Sequence, residues 1–417
     1  MIGRAAPPDA GGASLLATLR VGAFRRLWLS SVSLGFGQQM EILILGWWIL
    51  EVTDNPLLVG VIGGFRWWPS LLGPFGGVLI DRFDRRRVLL LVLGIVTGGA
   101  GFLLALSALG RLEVWHTFAV ALIAGTARTV DAATRQAVIG DVLPRGRIIS
   151  GIALNQAALN GTAILAPPIG GLLYKYVGFA SGFAAITGLY ALSLVLAHGL
   201  PALPVGAAKA GESAWRKLIE GLDFVRRDEI ISALLWIAAI ANLCGFPLVY
   251  VMLPVFARDI LGTDSAGLGV LTGAIGAGAL LGNLTLGSIR GVGHRGRFVL
   301  GTMGLWMALL AAFALSRSFA LSLVLLCLIG AASSTSMATL AARLMTGSPI
   351  DVRGRVMGVR MFAIATLPVA TTAMGGAMEL IGRPAGPPLT LILTAGLGAA
   401  LTGLVAVRLP GIWRREG

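Results

Sequence analysis

Charge is what this chain has least of. Asp, Glu, Lys and Arg make up only 12% of its 417 residues, about half the share found in soluble domains. A large soluble core is excluded as well, because apolar runs recur along the whole length. Each is long enough to cross a hydrocarbon layer of about 30 Å, which takes roughly 20 residues. Cysteine is nearly absent. Cys244 and Cys327 each sit inside an apolar run, so no disulfide framework is expected. Histidine is as scarce: His116, His198 and His294 fall in separate loops or helix ends. No metal site and no cofactor is expected from such a set, and no catalytic cluster for a polytopic membrane enzyme. A phosphate-binding G-x-x-x-x-G-K-S/T loop is lacking too, which excludes ATP as the driver within this chain. Residues 1–23 hold Arg4, Pro7, Pro8, Gly11 and Gly12 but no long apolar core. A cleavable signal peptide is therefore not expected, and the first membrane helix serves as insertion signal.

What is present is apolar: 56% of the chain is hydrophobic. The runs predict an all-α polytopic membrane protein of 12 transmembrane helices: 24–50, 56–80, 88–109, 114–137, 152–174, 179–200, 230–257, 264–288, 298–316, 319–344, 356–381 and 386–408. Between the sixth and seventh lies the longest polar segment, 201–229. There Trp215, Leu218, Leu222 and Phe224, with Lys217 and Arg226, fit a short amphipathic helix lying on the membrane surface. The expected divisions are a cytoplasmic segment 1–23, a six-helix bundle 24–200, the cytoplasmic linker 201–229, a second bundle 230–408 and a cytoplasmic tail 409–417.

The net charge of +14 does not point to nucleic acid, because it is spread over short loops between apolar runs. It reports orientation instead. GVLIDRFDRRRVLLLVLG, residues 77–94, is a hinge of charge between two apolar runs, and Arg82, Arg85, Arg86 and Arg87 mark its cytoplasmic side. Counting loops from that turn, most Lys and Arg fall on the same side. The opposite loops hold only Arg111, Lys175, Arg258, Arg317 and Arg383. Both termini are expected in the cytoplasm. The halves also repeat weakly: DVLPRGRIISG at 141–151 resembles SPIDVRGRVMG at 348–358. Parallel repeats with a site between them, near midplane, are a mark of secondary transporters.

Polar groups inside the predicted helices are functional candidates, since an ionisable residue at the bilayer centre costs about 3 kcal/mol. The first helix carries Gln38, Gln39 and Glu41, and Arg66 lies in the second. Glu41 is a candidate proton carrier, because a carboxyl group out of water can exist in either protonation state; the plainer reading is a structural pair with Arg66. The fourth helix places Arg128, Asp131 and Arg135 on one face. A switchable Arg128–Asp131 pair is the second coupling candidate; a fixed pair that stitches the bundle is its alternative. Trp67 and Trp68, with Asn160, Asn242 and Asn283, are candidates for lining a substrate cavity. Trp47 and Trp48 fit an interfacial belt, and Arg343 and Arg360, near helix ends, can snorkel.

The hinge then carries a resemblance. Gly77, Leu79, Asp81, Arg82, Arg85, Arg86 and Leu89 match the G-x-L-x-D-R-x-G-R-R-x-x-L loop of the major facilitator superfamily, with Asp84 in place of the usual glycine. FRRLWLSSVSLGFGQQ in the first helix and RGRVMG before the eleventh resemble the exporter branch of enterobactin, macrolide and multidrug efflux proteins. In the fifth helix Pro167, Gly170 and Gly171 match the exporter motif G-P-x-x-G-G, with Ala166 in place of its first glycine. The resemblance implies two pseudo-symmetric six-helix bundles, with the first and fourth helices lining the cavity. It implies that Asp81 meets the start of the eleventh helix near 356–358 and that Arg85 and Arg86 pair with Asp141, clasping the halves on the inside in the outward-facing state. It further implies a monomeric, proton-coupled exporter of lipophilic small molecules in a bacterial inner membrane. A lysophospholipid flippase or an importer is the alternative within the same fold.

Overall fold

The computed structural model describes residues 15–72, 84–202, 214–288, 296–349 and 352–414. Gly77, Asp81 and Arg82 of the hinge therefore lie outside the described residues. Twelve principal helices run in chain order: α1 (Gly22–Thr53), α2 (Pro56–Trp67), α3 (Arg85–Ala108), α4 (Val114–Val142), α5 (Ile148–Val177), α6 (Phe179–His198), α7 (Glu229–Asp259), α8 (Ser265–Ser288), α9 (Gly296–Leu315), α10 (Phe319–Gly347), α11 (Arg353–Ile381) and α12 (Gly386–Arg408). The linker folds as the amphipathic helix Ala214–Arg227. Nine helices among the described residues are long and apolar enough to cross a membrane. Those outside that set are α1, α2 and α4. All three carry embedded charged residues, and within the described residues α2 runs on into a 3-10 turn, Trp68–Leu72. Pro69, which has no amide hydrogen, stands in that turn.

Local chemistry fixes several of the boundaries. Asn55 caps α2 by accepting from the Leu58 amide at 3.2 Å, and Asp84 caps α3 by accepting from the Arg86 amide at 2.9 Å. The residue that replaces the hinge glycine is thus a helix cap, worth about 1 kcal/mol in such positions. Two helices are irregular where the halves face one another. α7 widens into π-turns at Ala241–Gly245 and Leu248–Met252, on either side of Pro247. α11 breaks at Ala365, three residues before Pro368. Such breaks leave backbone free to line a cavity and recur at functional sites.

Glycine sets how closely the halves meet. A Cβ on Gly269 of α8 would lie 2.5 Å from the Pro167 carbonyl of α5, and one on Gly276 would lie 2.8 Å from that of Ala163. Gly171, in the helix-5 motif, faces the Ser265 backbone in the same way, while its neighbour Gly170 abuts Met40 of α1. Across the second seam a Cβ on Gly375 of α11 would lie 2.6 Å from the Pro56 carbonyl of α2. Backbone-to-backbone packing of this kind is how helices associate in lipid, where apolar burial alone gives no preference for protein over tails.

At the end of the bundle carrying Asp54, charge adds to that packing. Arg258 and Arg383 both bond the Asp54 carboxylate, and Arg383 also meets Asp259 at 2.9 Å. Arg258 donates to the Leu50 carbonyl at 2.7 Å. Lys175 at the end of α5 pairs with Asp264 before α8 at 2.8 Å, and Ser265 donates to the Gly171 carbonyl at 3.0 Å. These bonds tie α1, α2 and α5 to α7, α8 and α11. At the opposite end, where the linker helix lies, Arg85 pairs with Asp141 at 2.6 Å, and Arg86 donates to the His198 carbonyl at 2.7 Å. Both contacts stay within the first six helices. Arg86 therefore does not share Asp141 with Arg85: its guanidinium reaches the end of α6 instead.

Asp54 is held below the usual carboxylate range by its hydrogen bond to Arg383, with Arg258 adding to the effect. A carboxyl lowered in this way contributes above its ordinary value of 3.8 and is lost only as pH falls through the lowered one. Each pair is partly exposed and individually weak, so closure rests on the set. Amide hydrogen exchange over 54–60 and 259–266, corrected for intrinsic rates, is expected to stay constant from about pH 8 to about pH 5. Asp54→Asn is expected to raise it at every pH in that range.

Candidate functional site

The site grows from one difficulty: two carboxylates, Glu41 and Asp131, and two guanidiniums, Arg66 and Arg135, are buried among membrane helices. Glu41 on α1 is 3% exposed and Arg66 on α2 is 7% exposed. They meet at 2.8 Å through Arg66 Nη1 and Glu41 Oε1. Tyr190 of α6 donates its hydroxyl to Glu41 Oε2, and Arg66 Nη2 reaches the Gln38 carbonyl at 3.4 Å. Three helices thus converge on one carboxylate. Small residues make room for it. A side chain at Gly37 would run into the Tyr190 ring, and one at Gly125 of α4 would run into the Arg66 carbonyl.

A second cluster lies further along α4. Asp131 does not pair with Arg128. It binds Arg135, whose Nε sits 2.9 and 2.8 Å from the two carboxylate oxygens. Helix side chains lean toward the N-terminus, so a long arginine reaches back to an acid four residues before it more readily than one three before reaches forward. Arg135 Nη1 then donates to Ser30 Oγ at 3.2 Å and Ser31 Oγ at 3.0 Å. Ser30 exchanges hydrogen bonds with Ser193 of α6. Asp131 and Arg135, 5% and 6% exposed, thereby join α4 to α1 and, through Ser30, to α6.

Arg128 instead lies over the Trp67 ring, 4.2 Å from its centroid, in a cation–π contact. Trp67 meets Tyr250 of α7 edge-on, with centroids 5.7 Å apart. Both rings line a cavity of about 240 Å³ together with Asn242, Phe246, Met337 and Arg360. The π-turns of α7 supply Asn242 and Tyr250. Arg360, read from its position near a helix end as able to snorkel, lines this cavity instead. A smaller space of about 80 Å³ is lined by Gln39, Pro167 and Tyr250.

The other candidates fall elsewhere. Trp68 is 52% exposed. Asn160 accepts from Gln156 at 3.4 Å on its own helix, and Asn283 lies partly buried on α8 outside both cavities. Trp47 and Trp48 are not interfacial: they are 8% and 9% exposed, and Trp48 packs on Phe179. Sequence reasoning missed Tyr190 and Tyr250. The chain has only four tyrosines, and a hydroxyl inside an apolar run was the available signal, since a buried phenol seeks a partner.

Removing one partner of a buried pair leaves a lone charge, at about 3–5 kcal/mol. Arg66→Met is therefore expected to lower thermal stability strongly, while the double variant Glu41→Gln/Arg66→Met recovers a large part of the loss. Unfolding followed by tryptophan fluorescence reads both. Equal losses in the single and double variants would contradict the pairing energy.

Comparison with known proteins agrees with this geometry. A family model described as transmembrane secretion effector matches residues 13–411. Enterobactin exporter EntS of Shigella boydii serotype 4 (strain Sb227) is 26% identical over 413 residues, covering 93% of this chain and 88% of that protein. The EntS of Escherichia coli O139:H28 is 27% identical over 347 residues, covering 81% and 75%. Among solved structures, a bacterial homologue of the human lysosomal transporter Spinster, in an inward-facing and unoccupied conformation, superposes with TM-score 0.73 at 13% identity, covering 95% of this chain and 99% of that one. The nucleoside transporter NupG does so with TM-score 0.74 at 13% identity, covering 92% and 98%. Relatives and fold are those of transporters, not enzymes. The chain belongs to the transmembrane secretion effector family of the major facilitator transporters.

Proposed function

We propose that this protein is a proton-coupled exporter of lipophilic small molecules that works by alternating access. The observation that carries the reading is the Glu41 carboxylate, enclosed by Arg66 and Tyr190 beside a cavity to which both halves contribute. Ionised, Glu41 balances Arg66. Protonated, it leaves Arg66 as an uncompensated charge in a dry site, which is costly. Proton arrival then favours any arrangement that gives Arg66 another acceptor or water. Asp131 is a second coupling candidate, since its protonation would release Arg135 and loosen the hold of α4 on α1.

The reading treats 24–200 and 230–408 as the two rocking bundles and places the linker, both termini and the linker end in the cytoplasm. The Asp54 clasp then closes the outer face, and the glycine seams between α5 and α8 and between α2 and α11 are where the bundles slide. Arg85–Asp141 holds α3 to α4 so that the first bundle moves as one body. The relatives' export of enterobactin supports an outward direction. The protein is read as a monomer in the bacterial inner membrane.

The test uses purified protein in liposomes holding a pH-sensitive dye, challenged with a panel of lipophilic cations, macrolides and siderophores. The expected outcome is substrate-driven proton movement that Glu41→Gln or Asp131→Asn abolishes. Substrate movement without a proton signal would overturn the coupling. Movement of lysophospholipid alone would overturn the substrate class in favour of a flippase.

A further inference from the structure

The embedded charges do not cancel. Among the described residues, the acids near the site are already committed: Glu41 to Arg66 and Tyr190, Asp131 to Arg135. Glu51, further along α1, accepts from Tyr174, and Glu229 binds the Gly411 amide. Glu379 is exposed on α11, about 28 Å along the helix from Arg360 at 1.5 Å per residue. That leaves Arg128 and Arg360 without a carboxylate partner. Arg128 covers one face of Trp67, and Arg360 shares the cavity that Trp67 lines. A guanidinium inside a membrane protein is tolerated toward an anion or a wet cavity, and Arg360, which lines this cavity with no acid beside it, gives the cavity positive charge.

The remaining lining has its own chemistry. Trp67, Phe246 and Tyr250 offer ring surface, and Met337, Ile364 and Leu367 offer apolar, deformable walls. Arg360, in the same lining, offers the N–H edges of its guanidinium to a planar acceptor such as a carboxylate or phenolate. A lipophilic cation would meet repulsion from Arg360 in a medium of low dielectric.

We propose that the cavity between α2, α7, α10 and α11 binds an aromatic organic anion, its negative group on Arg360 and its ring against Trp67, Phe246 and Tyr250. The inference rests on reading this cavity as the substrate site and narrows the substrate class from lipophilic molecules in general to anionic ones.

The experiment is a fluorescence titration of the full chain in lipid nanodiscs with two probes that share a ring system and differ in charge, dansylglycine and dansylcadaverine. The anion is expected to bind saturably and at least about tenfold tighter than the cation, a difference of about 1.4 kcal/mol. Arg360→Gln is expected to weaken dansylglycine by about tenfold or more and to leave or improve dansylcadaverine. Arg360→Lys, which keeps the charge, is expected to retain the preference and separates a lost contact from a lost fold. Equal or tighter binding of the cation, or anion binding unchanged in Arg360→Gln, would overturn the proposal. The titration is independent of flux. Absent proton movement in liposomes with the anion preference intact would count against the transport mechanism and not against the anion site.

Discussion

Everything at the centre of this protein depends on how a buried carboxylate is balanced. Glu41 has no water to solvate it, so α1 must bring it to Arg66 of α2, and Tyr190 of α6 must supply the second bond. That requirement orders the neighbourhood. Gly37 gives the tyrosine ring its space, and Gly125 lets α4 press on the Arg66 backbone. Trp67, the next residue on α2, is thereby presented to Arg128 on one face and to Tyr250 on its edge. A charge that must be neutralised in low dielectric fixes four helices and the wall of the cavity beside them.

The seams obey a different constraint. In lipid, helices gain little from hiding apolar side chains, so they hold together through close backbone contact and polar bonds. The glycines of α8 and α11 allow that contact against α5 and α2, and the Asp54–Arg258–Arg383 set adds charge at one end only. Such a seam is firm without being specific to one angle. The π-turns of α7 and the break in α11 place irregular backbone where the halves face each other, as broken helices do in transporters. Stability there comes from contacts that can slide, and specificity comes from the few charges that cannot be left alone.

Much of the architecture was legible because membrane helices need only length and an absence of charge. α12 spans the residues its apolar run marks, and the amphipathic helix appears within the linker. The Glu41–Arg66 contact could be read as one of two options, since each is the nearest embedded opposite charge. What failed depended on direction rather than composition. Spacing put Arg128, Asp131 and Arg135 on one face, but the lean of helical side chains and the hydroxyls of Ser30 and Ser31 chose Arg135. Arg360 lies near a helix end by counting, yet its side chain lines the cavity, a facing that counting along the chain does not give. Trp47 and Trp48 looked like interfacial anchors because position along a run says nothing about which neighbour covers it. Tyr190, 149 residues from Glu41, showed only as a hydroxyl inside an apolar run, which does not say which partner it meets.

The central claim is that Glu41 carries the proton. Infrared difference spectroscopy on the protein in lipid, stepped through pH, tests it most directly, because a protonated carboxyl absorbs apart from a carboxylate. The account predicts a protonated-carboxyl band that grows as pH falls, shifts when substrate is added and is missing in Glu41→Gln. A spectrum in which Glu41→Gln removes no such band, at any pH where the protein stays folded, would contradict it.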